Sequence, residues 1–157
     1  MPEGDTDDRP VIPALLRAAR GTYGDAIREK LALAGYEDVP RNGSYVLGGA
    51  ANHGGPIAGL TRDLGVSKQA ASQLIDTLVL RGYLKRRADP DDRRRIVIEL
   101  TPRGYAAAGV VREAVQEVDA ELAAALSDDQ LEGLRAGLLA LGAISGRRRA
   151  APDGRPL

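Results

Sequence analysis

A mainly α fold carrying one small β-hairpin is what this sequence predicts, and three observations predict it. Apolar residues recur at steps of three and four over most of the chain. Few strong β-formers lie outside two short runs, 84–88 and 95–100. Between those runs stands Asp89-Pro90-Asp91-Asp92, a turn whose Pro presets its dihedral and whose Asp residues accept local bonds. Just before the hairpin, Leu60, Leu64, Val66, Ala71, Leu74, Ile75 and Leu78 fall at helical spacing on either side of Gly65. Gly65 can take the left-handed backbone of a tight helix-to-helix turn. That is the pattern of a helix-turn-helix, so helix, turn, helix and basic hairpin follow one another from Pro56 to Thr101.

Taken in order, Met1 to Arg9 is acidic and polar and reads as a disordered lead-in. From Pro13 to about Ala34, Leu16, Ala19, Tyr23, Ile27 and Leu31 mark a long amphipathic helix, with Pro13 in its first turn, Gly21 and Gly24 as weak points and Gly35 as C-cap. After a connection from Tyr36 to Arg41, a second helix is expected from about Gly43 to Asn52, weakened by Gly48-Gly49 and ended at Asn52-His53-Gly54-Gly55. Ala58 to Leu64 forms the first helix of the helix-turn-helix. Ser67 N-caps the second, which runs to about Arg81 before Gly82. Beyond the hairpin, Thr101 before Pro102 opens a long helix with Ala108, Val111, Val115, Val118, Leu122 and Leu126 on a stripe close to a heptad seam. Ser127-Asp128-Asp129-Gln130 has the form of a capping box and starts a last helix with Leu131, Leu134, Leu138 and Leu141 on one face. Residues 146–157, basic with Pro and Gly, read as a frayed, disordered tail.

Composition limits what such a chain can do. With 157 residues, 43% of them hydrophobic, it suits one domain able to bury roughly 70% of its unfolded surface. The core must be built from Leu, Val, Ile and Ala, with five Tyr supplying all the aromatic area. The absence of Cys excludes disulfides, thiolate metal clusters and thiol redox sensing, and it fits a reducing cytoplasm. The N-terminus is unlike a signal peptide, and no run approaches the roughly 20 apolar residues of a membrane span. His53 is the only histidine and the late carboxylates fall on solvent faces, so neither a zinc site nor a nucleophile-base pair has its parts. No enzyme activity, metal or cofactor is therefore expected. The 22 basic and 22 acidic residues cancel in sum but not in place. Arg81, Lys85, Arg86, Arg87, Arg93, Arg94 and Arg95 outnumber the Asp residues of the hairpin, while acid collects at the N-terminus and on the late helices.

On the helix from Lys68 to Arg81, steps of about 100° put Ala70, Ala71, Leu74, Ile75 and Leu78 on one side. Gln69, Ser72, Gln73 and Asp76 take the other. A Gln amide can pair with adenine in the major groove, Ser can donate or accept, and Asp can accept from cytosine N4. Ser67, Lys68 and the helix N-terminus would meet phosphates. Arg93 and Arg94 could reach a minor groove, or could pair with Asp89, Asp91 or Asp92 instead. Arg86 and Arg87 alternate faces, so only one of them can point toward a phosphate. Each polar residue alone has a plain alternative as solvated surface. Together with the turn and basic hairpin they point to double-stranded DNA as partner.

The run from Leu60 to Asp76, then Leu80-Arg81-Gly82-Tyr83-Leu84, Asp89-Pro90-Asp91-Asp92-Arg93-Arg94 and Leu100-Thr101-Pro102-Arg103-Gly104, resembles the MarR family of bacterial transcription regulators. The resemblance covers roughly Leu15 to Ile144. It implies a winged helix-turn-helix, about 43–101, within one domain at 10–145, flanked by dimerisation helices at about 12–35 and 102–145. It further implies a homodimer on a pseudo-palindromic operator, a repressor released in many members by a small aromatic or anionic ligand. Carried over, the reading helix is Ser67 to Arg81 with Gln69, Ser72 and Gln73 as base readers, and the wing-tip arginine is Arg94, braced by Asp92. The ligand would lodge where the first helix, the Tyr45 helix and the base of the helix after Pro102 converge, with Arg17, Arg20, Tyr23, Tyr45 and His53 as candidates. The competing classes are a winged-helix module that binds another protein without reading DNA, and a protein that binds or processes a small molecule.

Overall fold

The computed structural model describes residues 9–53, 66–89 and 96–150, the side chains of 52, 53, 145 and 148–150 excepted. The described residues form α1 (Ile12–Leu33), α2 (Gly43–His53), α3 (Lys68–Leu80), strands β1 (Leu84–Ala88) and β2 (Ile96–Leu100), α4 (Pro102–Ala125) and α5 (Asp128–Ala150). Two compact units divide the chain, 1–118 and 119–157. The first helix of the helix-turn-helix, the hairpin tip, residues 1–8 of the N-terminal lead-in and residues 151–157 lie outside the described residues.

In the first unit, Leu31 from α1, Val46 and Leu47 from α2, Ile75 and Leu78 from α3, Tyr83, Leu84 from β1, Leu100 from β2, and Ala107, Ala108 and Val111 from α4 form one buried cluster. Each Leu, Val or Ile fully buried there contributes roughly 1.5–3 kcal/mol from water exclusion alone. Small residues let α2 and α4 approach closely. A Cβ at Gly48 would sit 3.3 Å from Val111 Cγ1. Gly48 and Gly49, expected to weaken this helix, both lie inside α2, and Gly48 makes room for α4. Val111, expected on the heptad-like stripe of the helix after Pro102, is likewise buried in the chain's own core.

Two helices of this unit stop in the same way. In Leu31-Ala32-Leu33-Ala34-Gly35-Tyr36, Tyr36 N–H donates to the Leu31 carbonyl (2.8 Å) and Gly35 N–H to that of Ala32 (3.1 Å). In Leu78-Val79-Leu80-Arg81-Gly82-Tyr83, Tyr83 N–H donates to Leu78 (2.9 Å) and Gly82 N–H to Val79 (3.0 Å). Both are Schellman caps, and both glycines have the positive φ the motif needs, 80° and 74°.

In the second unit, Ser127 and Gln130 form the expected capping box. Gln130 N–H donates to Ser127 Oγ (3.3 Å) and Ser127 N–H to Gln130 Oε1 (2.9 Å). The tail expected to fray from Gly146 is helical as far as Ala150. One glycine costs only about 1 kcal/mol in a helix, and the arginines that follow are good helix formers favoured near a C-terminus.

Candidate nucleic-acid interface

Ser67 sets the start of α3: its extended backbone precedes the helix and its hydroxyl accepts from Ala70 N–H at 3.2 Å. From that start the helix buries Ala71, Ile75 and Leu78 and exposes Lys68, Gln69, Ser72, Gln73 and Asp76. The candidate readers therefore share an open face. Ala70, assigned to the apolar side, is exposed instead, because it falls in the first turn ahead of the packed stripe.

The wing strands pair antiparallel with Lys85 opposite Glu99, Arg86 opposite Ile98 and Arg87 opposite Val97. Alternation sends Lys85 and Arg87 to one face, where both pair with Glu99, at 3.4 and 3.2 Å. Arg86 goes to the face of buried Leu84 and pairs with Asp76 of α3. Two of the predicted DNA contacts, Asp76 and Arg86, are thus each other's partner. Their side chains are 57% and 46% exposed, so the pair itself is worth no more than about 1 kcal/mol. Arg93 and Arg94, with Asp92, lie outside the described residues.

Behind the reading face is a cluster that sequence reasoning missed. The Tyr83 hydroxyl donates to the Asp38 carboxylate, and Arg103 donates to the same carboxylate (3.0 Å) and to the Tyr83 oxygen (3.1 Å). Arg81 donates to the Asp38 carbonyl. The Arg103 guanidinium carbon lies 4.7 Å from the Tyr83 ring centre and 5.9 Å from that of Tyr36, within cation-π range of both. The Tyr83 hydrogen bond, the largest influence, holds the Asp38 carboxyl below its ordinary value against burial, which raises it, with the Arg103 charge adding a lesser lowering. Burial first, then the Asp38 bond, push the Tyr83 phenol above its ordinary value. Such a network fixes geometry; no member is positioned for proton transfer near neutral pH.

Thr101 and Gly104 close the same joint. Thr101 N–H donates to the Tyr83 carbonyl (3.0 Å), and its hydroxyl donates to that of Gly82 (2.5 Å) while accepting from Gly104 N–H (3.0 Å). A Cβ on Gly104 would come within 2.1 Å of the Tyr83 carbonyl oxygen, so α4 can meet the wing only with glycine there. The recoverable signal in the sequence was the twofold Leu-x-x-x-Gly-Tyr, which places Tyr36 and Tyr83 at equivalent cap positions with ring centres 6.2 Å apart.

The candidate ligand residues lie on α1 and α2. The convergence of α1, α2 and α4 is filled by Leu31, Val46, Leu47, Ala107 and Ala108. Arg17 and Arg20 are exposed and lie, by helical rise, roughly 16–21 Å along α1 from Leu31. Tyr23 is partly buried, Tyr45 is half exposed on α2, and the His53 side chain is outside the description. Among the described residues no group of His, Asp or Glu could hold a metal, and no helix is long and apolar enough to cross a membrane.

Comparison with known proteins adds to this geometry. Residues 38–95 match the model of the MarR family, a family of transcription regulators and not of enzymes. No curated protein matches the chain. Among solved structures, the chain is similar to MepR of S. aureus bound to DNA, at 20% identity over 86% of this chain and 98% of that one, with a TM-score of 0.69. It is similar to apo MarR of E. coli, at 22% identity over 85% and 98%, TM-score 0.62. It is also similar to a probable transcriptional regulator of Pseudomonas aeruginosa, at 26% identity over 86% and 98%, TM-score 0.62. Five helices with one two-stranded hairpin, as described, make the MarR winged-helix fold.

Proposed function

From a chain that carries the MarR family's segment on the MarR winged-helix fold, we propose a transcription regulator that reads double-stranded DNA as a homodimer, acting as a repressor on a pseudo-palindromic operator. The observation that carries the reading is the open polar face of α3, where Gln69, Ser72 and Gln73 stand exposed beside a hairpin of Lys and Arg. Support for the dimer comes from unpartnered apolar side chains. Val11, Ile12, Leu15 and Leu16 are exposed in the first unit, and Leu134, Leu138, Leu139, Leu141 and Ile144 in the second. A twofold interface would cover them and set two reading helices one duplex turn apart, about 34–36 Å.

The decisive experiment selects preferred duplexes from a random pool. Enrichment of paired half-sites about one turn apart supports the proposal, and no enrichment favours a winged-helix module that binds protein instead. Within an enriched site, Gln73→Ala is expected to weaken binding by roughly 1–3 kcal/mol while leaving random DNA almost unaffected. Light scattering that finds a monomer at micromolar concentration removes the dimer. Release by a small aromatic acid completes the proposal, with Arg17 and Arg20 as exposed cations and Tyr45 as a half-exposed phenol. A panel of such acids that changes neither melting temperature nor operator affinity removes that part alone.

A further inference from the structure

Asp76 is the only acidic residue of α3, and it stands on the face that presents Gln69, Ser72 and Gln73. A carboxylate there repels phosphate, and the ion pair it makes with Arg86 is too exposed to matter much for folding. Ile75, Leu78 and Leu84 already hold α3 against β1. The pair must therefore be weighed by what it does to charge. Each cation of β1 is paired within the protein, Lys85 and Arg87 with Glu99 and Arg86 with Asp76, so on α3 and β1 together Lys68 is the one cation without an ion pair among the described residues. Sequence-independent affinity for DNA is set by how many such cations neutralise phosphates.

We propose that Asp76 determines specificity through Arg86: it withholds a guanidinium from the backbone of random DNA, so that the neutral readers of α3 decide which duplex is held. This rests on the DNA-reading assignment above. Asp76 is here a positioning residue and makes no base contact of its own. When Arg86 is partnered, the net charge that α3 and β1 offer a phosphate falls by one, and the loss is shared by all sequences. When Arg86 is freed, every duplex gains the same contact, and the ratio between sites narrows.

The test measures binding of a selected duplex and a random duplex across a salt series, for the wild type, Asp76→Asn, Asp76→Glu, Arg86→Gln and Asp76→Asn with Arg86→Gln. Asp76→Asn is expected to raise random-duplex affinity about three- to tenfold and to steepen its salt dependence by about one released counterion. The selected duplex gains less, so discrimination falls. Asp76→Glu, which keeps the charge, stays close to wild type, and in the Arg86→Gln background Asp76→Asn no longer changes the slope. An unchanged slope and ratio in Asp76→Asn overturns the proposal. So does loss of selectivity confined to a single base pair, which would make Asp76 a direct reader. A wild type that binds no duplex sinks the DNA assignment itself, and is told apart because it appears before any variant is compared.

Discussion

The root of the wing and its flank are built from similar residues to opposite ends. At the root, Asp38, Tyr83, Arg103, Thr101 and Gly104 interlock, with one carboxylate taking two side-chain donors and one threonine bonding through its amide and hydroxyl to three other residues. Tyr83 is fully buried. At the flank, Asp76 with Arg86 and Glu99 with Lys85 and Arg87 are half-exposed pairs that water and salt screen. Asp38 and Arg103 are themselves about half exposed, so what sets the root apart is the buried Tyr83 and Gly104 and the several bonds that converge on them, which cannot be exchanged without loss, whereas isolated exposed pairs are exchanged readily. The root is therefore suited to holding the reading helix in place, and the flank to adjusting what its surroundings feel.

Breaking the root is expected to give the largest effect. In Gly104→Ala the new methyl meets backbone rather than a flexible side chain, and the helix must shift; a loss of about 3 kcal/mol or more, read by denaturant unfolding, is expected. A wild-type midpoint in that variant would show the contact to be slack. Tyr83→Phe keeps the buried ring but removes a hydroxyl that donates to Asp38 and accepts from Arg103, at a cost of roughly 1–3 kcal/mol.

The pH dependence of that second cost sharpens the point. Asp38 has a lowered folded pKa, so its contribution is complete above the unfolded value, near pH 4, and is lost as pH falls through the folded one. Tyr83 has a raised folded pKa, so its contribution is complete below about pH 10 and is lost as pH rises through the folded value. The stability difference between wild type and Tyr83→Phe should therefore be flat between about pH 4 and 10 and shrink beyond both ends. A slope across neutral pH would mean that another group governs the joint. The smallest effect belongs to the flank: Glu99→Gln should change stability by no more than about 0.5 kcal/mol, while random-duplex affinity rises as Lys85 and Arg87 are released. Equal destabilisation at Glu99 and Tyr83 would erase the distinction.

What could be read in advance divides along the same line. The helices from Ile12, Gly43, Lys68, Pro102 and Asp128, and the strand Leu84–Ala88, announce themselves through local signals: periodicity, Ser67 and Ser127 as caps, Gly35 and Gly82 as stops. The exposed face of α3 follows from those, since rotation about a helix is arithmetic. The partners of Asp38 do not, because they come from positions 43 to 65 residues away and nothing local tells an exposed loop Asp from a hub. For the same reason Arg86 was legible as a surface cation but its pairing with Asp76 was not. Gly48 was misjudged because a glycine's local cost is visible in sequence and the neighbour that justifies it is not.

Thr101 is the single residue between the last position of β2 and the first of α4. With its amide on Tyr83, its hydroxyl on Gly82 and a proline behind it, it leaves the chain no slack at that point. Strand and helix are in effect geared: a rotation of the first turns of α4 must be delivered to the hairpin without play, and a force on the hairpin must be felt in the helix. A linker of two or three glycines there would act as a clutch, leaving the hairpin free to wander while the helix stood still.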